Sequence, residues 1–311
     1  MQKIIVGIPR ALLYYKYHIL WETFFKELGI TTITSNSSTK ETLEIGRRFL
    51  IDEACLSMKL YMGHVKQLLP LCDYVLVPRI ICLKKKEKLC TNFSALYDLV
   101  HNLFPDTKLL HYNIDVPNQE TEFFGLLHIG LQLGFPYIKI VKAYHLAKQK
   151  ELAETSISIK KQTVSLKSNN IKILLAGHPY NLHDKLIGAN ISNYLERENI
   201  KIIYSDKYDL KDMNKDCNHL SKNIYWTYNR EIMASLWHYQ SAVDGIILIT
   251  TFPCGPDSLA NEMCLRKLKN IPILNIIVDE LSSETGLITR LESFIDIIKQ
   301  KKELYEKQGN N

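Results

Sequence analysis

No two of the seven cysteines in this 311-residue chain are spaced C-x-x-C. That removes the usual ribbon, finger and ferredoxin patterns from consideration. Near the N-terminus the apolar run Ile4-Ile5-Val6 is too short for a signal h-region or a membrane span, so a cytoplasmic protein is expected. In such a reducing compartment the cysteines do not read as a disulfide framework, which leaves redox chemistry, metal binding or plain burial. Charge of one sign is also scarce. The formal net charge is only +6, and no stripe of arginines and aromatics accompanies it, which argues against nucleic-acid binding. The mild surplus suits an anionic ligand or an acidic partner, and ordinary solvated lysines account for it equally well.

What is present is a normal apolar fraction of 46% and an alternation of short apolar runs with longer amphipathic stretches. This pattern signals parallel sheets with crossover helices. Strands are expected at residues 4–7, 31–34, 74–77 and 108–112, with helices at 14–28, 40–50, 56–69 and 93–103. Residues 120–161 read as largely helical, broken near Gly134-Phe135-Pro136. The pattern then restarts, with strands at 172–176, 201–204, 244–250 and 273–278. Helices are expected at 184–198, 229–239, 257–268 and from about 289, and a charged tail at 301–311 is expected to fray.

Gly7-Ile8-Pro9 and Gly177-His178-Pro179 each follow an apolar strand, a sign that the second half repeats the first. The expected fold class is therefore α/β, with two Rossmann-like or flavodoxin-like domains, their parallel sheets facing a central cleft. An N-terminal domain over 1–115 and a C-terminal one over 169–311 flank a helical connector over 116–168.

Ligands of open α/β sheets bind beyond the carboxyl ends of strands. By that criterion Cys254 is favoured, following its strand at a helix start where the dipole favours a thiolate. Cys90, in a loop before a helix, and Cys55, immediately before another, join it. Cys72 precedes its strand, Cys264 is mid-helix, and Cys217 lies in a polar loop. Cys82 is ambiguous because it shares a loop with Cys90. Three thiolates with an open fourth position suit a [4Fe–4S] cluster, and the competing reading is that all are small buried hydrophobes.

Several stretches together resemble one family. They are Gly7-Ile8-Pro9-Arg10-Ala11-Leu12, Asp52-Glu53-Ala54-Cys55 with Lys59 and Gly63-His64, and Val77-Pro78-Arg79 leading to Cys90. Later come Gly177-His178-Pro179-Tyr180-Asn181, Phe252-Pro253-Cys254-Gly255-Pro256-Asp257-Ser258, Asp279-Glu280, Glu284-Thr285-Gly286 and Thr289-Arg290-Leu291-Glu292. The chain resembles the 2-hydroxyacyl-CoA dehydratase D-component superfamily, in the branch related to CoA-substrate-specific enzyme activases and double-cubane cluster proteins.

The resemblance implies that Cys55, Cys90 and Cys254 ligate a [4Fe–4S] cluster or part of a double-cubane [8Fe–9S] cluster. It also implies a separate ATP-hydrolysing activator as electron donor, a homo- or heterodimer, and a small-molecule substrate, in the family a CoA thioester. Two departures stand out: Cys90 is followed by Thr91-Asn92 where the family commonly has Pro, and Cys55 by Leu56-Ser57 where it often has Leu-Pro. The glycine loops of the activases' ATPase part are missing, so this chain is not expected to hydrolyse ATP.

Other residues carry paired readings. His64 and His178, in loops or helix starts, are candidate donors to a substrate carbonyl or cluster sulfur, or they simply position their loops. Glu53 is the candidate acid–base carboxylate, or a solvated loop residue or helix cap. Asp279, Glu280, Glu284 and Arg290 read as an ion-pair network first and a ligand site second. Lys59 and Arg10 are candidates to meet phosphates of a CoA-like ligand. The run Lys84-Lys85-Lys86-Glu87-Lys88 is a solvated loop or a dock for an acidic partner, and Trp21, Phe24, Phe25 and Leu28 have core spacing.

Three functions follow: an enzyme component passing one electron to a substrate, an electron-transfer or storage protein with no substrate of its own, and a metal-free binding protein.

Overall fold

A computed structural model describes the backbone of residues 4–309 and the side chains of residues 4–304. The chain divides into two compact units, residues 1–157 with 225–228, and residues 158–224 with 229–311.

The first unit opens with β1 (Ile5–Ile8) and α1 (Tyr14–Leu28). Trp21, Phe24, Phe25 and Leu28 are at most 2% exposed, as their spacing requires, and Gly29 ends the helix at φ 82°. Next come β2 (Thr31–Thr34), α2 (Lys40–Arg47) and α3 (Leu56–Leu68). A Cβ on Gly46 would lie 1.7 Å from the Lys59 carbonyl oxygen, and one on Gly63 would lie 2.0 Å from that of Thr42. These two glycines let α2 and α3 touch backbone to backbone.

Then follow β3 (Tyr74–Leu76), β4 (Arg79–Cys82), α4 (Thr91–Ser94), α5 (Leu96–Leu103), β5 (Leu109–Leu110) and β6 (Asn113–Asp115). The strand expected at 108–112 is thus shorter, covering only Leu109–Leu110, and a further strand that was not expected, β6, follows it and pairs with β4 in a separate two-stranded sheet. Helices α6 (Glu122–Gln132) and α7 (Tyr137–Leu166) break at Gly134, as expected. The main sheet is parallel, in the order β2-β1-β3-β5.

The second unit runs through β7 (Lys172–Ala176), α8 (Pro179–Leu182), α9 (Ala189–Arg197), β8 (Lys201–Tyr204), α10 (Met213–Leu220) and α11 (Thr227–Tyr239). It is completed by β9 (Gly245–Thr251), α12 (Gly255–Lys267), β10 (Ile273–Val278) and α13 (Glu284–Gly309). All seven residues of β9 are buried, as in the interior of a parallel sheet covered on both faces. The parallel order β8-β7-β9-β10 repeats that of the first unit, with the second strand outside the first and the third and fourth on its other side.

Helix α13 begins earlier than expected and continues where fraying was expected. Leu291, Ile295 and Ile298 are buried, and Lys301 Nζ donates to the Asn270 carbonyl at 3.1 Å. Residues 310–311 of that expected tail lie outside the described residues. Among the described residues no helix is long and apolar enough to cross a membrane.

Candidate functional site

In both sheets the chain leaves the first strand toward one side and the third toward the other, which opens a crevice at the carboxyl ends between them. In the second unit this switch point lies between β7 and β9. His178 follows β7 as the N-cap of α8, and Cys254 follows β9 as the N-cap of α12. One turn into α12, Asp257 is 3% exposed. It accepts from His178 Nε2 and from Asn229 Nδ2, each at 2.8 Å.

Burial alone would raise the Asp257 carboxyl. The His178 ring beside it, with hydrogen bonds from His178, Asn229 and the Cys254 thiol, instead holds it below the usual carboxylate range. The His178 ring also stacks on Tyr180 at 4.9 Å. The Cys254 turn is closed by Ser258, whose Oγ donates to the Cys254 carbonyl at 2.7 Å.

In the first unit Cys55 is the N-cap of α3 and Cys90 the N-cap of α4, both half-buried. Asn92 Nδ2 lies 3.5 Å from Cys55 Sγ and so brings the two helix starts together. Asn92 thus places an amide donor at a cysteine sulfur. Arg79 Nε donates to the Ser94 carbonyl at 2.6 Å and fixes α4 to β4. None of the seven cysteines is in a disulfide, and no grouping of three or more His, Cys, Asp or Glu suited to a metal ion occurs among the described residues. Cys55 and Cys90 lie in the first unit and Cys254 in the second.

Several expected placements are corrected. His64 is inside α3, not in a loop or at a helix start, and is fully buried, with Nε2 2.9 Å from Ser38 Oγ. Burial, helped by the charge of Arg10, pushes its imidazole down to about 4. Lys59 is only 2% exposed and donates to the Asp52 carbonyl at 2.8 Å, so it tethers the turn before Cys55. Glu53 is exposed in that same turn.

Cys82 ends a strand, with its thiol 2.9 Å from the Lys84 carbonyl and 2.8 Å from that of Glu87. Cys217 is helical and buried, close enough to Cys264 to help burial push that thiol up to about 12. Asp279 Oδ1 accepts from the Leu281 N–H at 2.9 Å and Arg290 donates to the Asn275 carbonyl at 2.6 Å, and among the described residues no ion pair joins Arg290 to Asp279 or Glu284.

Sequence reasoning gave no role to Asp257 or Asn229. Asp257 had a usable signal, an acid three residues after a helix-opening cysteine. Asn229 had none, because only the fold brings α11 to α12.

The molecule is an α/β protein of Rossmann-like type, with His178 and Cys254 at the carboxyl edge of the second unit's parallel sheet. It belongs to the family described as the CoA enzyme activase uncharacterised domain, whose model matches residues 5–207. That stretch holds Cys55, His64, Cys90 and His178, and Cys254 lies beyond it. A search of the curated proteins finds no match. Among solved structures the chain is similar to one described as "Crystal structure of ZnuA". The identity is 8% and the TM-score 0.26 over 96% of this chain and 99% of that one, a similarity too low to carry an argument.

Proposed function

We propose that the chain is the iron–sulfur-binding component of a low-potential reductase or dehydratase system of the 2-hydroxyacyl-CoA dehydratase D-component type. Its electron donor is a separate ATP-hydrolysing activator, and its substrate an acyl-CoA or other small molecule. The observation that carries this reading is the common placement of Cys55, Cys90 and Cys254. Each is the N-cap of a helix, part-exposed and outside any disulfide. For Cys55 and Cys254 the helix is 13 residues long, so its dipole favours the thiolate that ligates iron. Membership of a family named for CoA enzyme activation supports the CoA side of the reading.

Cysteine thiolates are the ligands an iron–sulfur cluster takes, and such a cluster when bound would supply one-electron transfer at low potential. The residues that would hold it are Cys55, Cys90 and Cys254. Asn92 offers a hydrogen bond to the Cys55 sulfur. Asp257, held by His178 and Asn229, fixes the loop that presents Cys254. Of the acid–base candidates, His178 is the one at a switch point. Glu53 is solvated, and His64 serves another part of the first unit.

The test is iron and acid-labile sulfide, with EPR, on protein purified without oxygen. Wild type and Cys217→Ala should carry near-stoichiometric cluster, and Cys55→Ala, Cys90→Ala and Cys254→Ala should lose it or alter its spectrum. Protein that stays colourless after reconstitution, or a spectrum indifferent to all three variants, sinks the reading.

A further inference from the structure

We propose that Arg10 and His64, with the backbone at the start of α1, form a binding site for a compact oxyanion, the phosphate ester or carboxylate of a small ligand. The site lies wholly within the first unit and does not depend on the cluster.

Arg10 stands just beyond the carboxyl end of β1 and is half-buried. Its backbone N–H donates to Ser35 Oγ at 2.8 Å, and its Nε donates to the Ser35 carbonyl at 3.0 Å. The guanidinium lies over the Tyr14 ring, 5.5 Å from its centroid. These contacts fix the orientation of the fork and use only Nε. The two terminal nitrogens donate to no described residue, and no described carboxylate pairs with the charge. A guanidinium held in this way offers two parallel donors at little further entropic cost, the geometry that carboxylate and phosphate oxygens accept.

The second observation is His64. It is fully buried, Nε2 is engaged by Ser38 Oγ, and Nδ1 has no hydrogen-bond partner. An orphaned ring nitrogen at full burial costs stability unless something absent from the bare chain satisfies it. The ring lies near enough to Arg10 to feel its charge, and it is neutral near pH 7. In the tautomer whose Nε2 accepts from the Ser38 hydroxyl, the neutral ring carries its proton on Nδ1, which is then a donor.

The backbone adds two more donors. The N–H groups of Leu12 and Leu13 donate to no described residue, and they precede the 15-residue helix α1. Leu12 sits at φ 49°, in the left-handed region a leucine rarely adopts. Arg10, the His64 ring and the backbone before α1 thus supply three kinds of donor, and no described carboxylate pairs with Arg10. Of the two residues expected to meet phosphate, the structure leaves Arg10 available and turns Lys59 inward.

The experiment is titration of the full chain with inorganic phosphate, read by 31P NMR and by protection of Arg10 from phenylglyoxal in peptide maps. Saturable binding is expected, weakened at least about tenfold in Arg10→Met and less in Arg10→Lys, which keeps the charge and loses the fork. Displacement of phosphate by coenzyme A assigns the natural anion to a phosphate ester. Displacement by acetate at lower concentration assigns it to a carboxylate, and either result supports the site. Arg10 protection in the wild type keeps the test valid should Arg10→Met fail to fold. Absence of saturable binding and of protection, or binding unchanged in a folded Arg10→Met, overturns the proposal whether or not the protein carries iron.

Discussion

The two units share one strand order and one tripeptide, yet they use the exit from the first strand in opposite ways. Gly7 and Gly177 are both required by close approach. A Cβ on Gly7 would lie 2.6 Å from Cys72 Sγ, and one on Gly177 would lie 2.6 Å from the Ile249 carbonyl oxygen. The residue that follows is Ile8, buried in β1, in one unit, and His178, bonded to a buried carboxylate, in the other. Past the proline stand Arg10, with open donors, and Tyr180, stacked on His178. The common scaffold thus presents an open cation in the first unit and a closed hydrogen-bonded network in the second. Two side chains after each glycine account for the difference.

The largest expected effect tests that contrast. Asp257→Ala should destabilise the protein by roughly 3–5 kcal/mol, because it leaves His178 and Asn229 buried without their shared acceptor. Asp257→Asn should cost less, since an amide oxygen still accepts. Arg10→Met should cost about 1 kcal/mol or less, as a half-buried group that gives up one side-chain hydrogen bond. Urea unfolding followed by tryptophan fluorescence measures all three. An Arg10→Met loss equal to that of Asp257→Ala would mean that Arg10 is structural and the contrast false.

Much of the fold was legible because it rests on local signals. The run of residues 245–251 could only be an interior strand, and the spacing of Trp21, Phe24, Phe25 and Leu28 fixed the buried face of α1. The β4–β6 pair was not legible, because a three-residue strand such as β6 has no periodicity of its own and depends on its partner. At the site, the helix-start positions of Cys55, Cys90 and Cys254 followed from reading where helices begin. The burial of His64 and Lys59 did not, because every residue of α3 except the solvent-facing Lys66 and the part-exposed Gln67 is buried, and polarity is then no guide to exposure. The contact between Asn229 and Asp257 joins residues 28 apart in sequence, and nothing local announces it.

Acid should separate the two units in order of pH. His64 has a folded value depressed to about 4, so the unfolded chain takes up its proton first. Stability is therefore lost as pH falls from about 6.5 toward 4, by up to about 3 kcal/mol. Asp257 is also depressed, but as a carboxylate. Its contribution is intact above the ordinary carboxylate range and is lost only as pH falls below about 4. Stability measured against pH should show the first decline abolished in His64→Gln and retained in Asp257→Asn. A first decline that survives in His64→Gln would assign it to another group and remove His64 from the account of the first unit.

The smallest effect on stability is expected at Lys59, where the consequence is local. Lys59→Met keeps most of the buried stem and removes an ammonium whose burial is costly, so the net change should stay within about 1 kcal/mol of zero. The turn before Cys55, however, loses its tether to the Asp52 carbonyl. In metal-free protein at one fixed pH, iodoacetamide should then alkylate Cys55 several-fold faster, as read by peptide mass. Cys254 serves as the control within the same molecule, because its turn is closed by Ser258 and Asp257 and makes no use of Lys59. If both cysteines speed up together, the substitution has loosened the whole chain. If neither does, Cys55 is held by its helix and by Asn92 alone, and the buried lysine has a purely packing role. A change confined to Cys55 would show that the two units present their cysteines by different means, a buried cation in one and a buried carboxylate in the other.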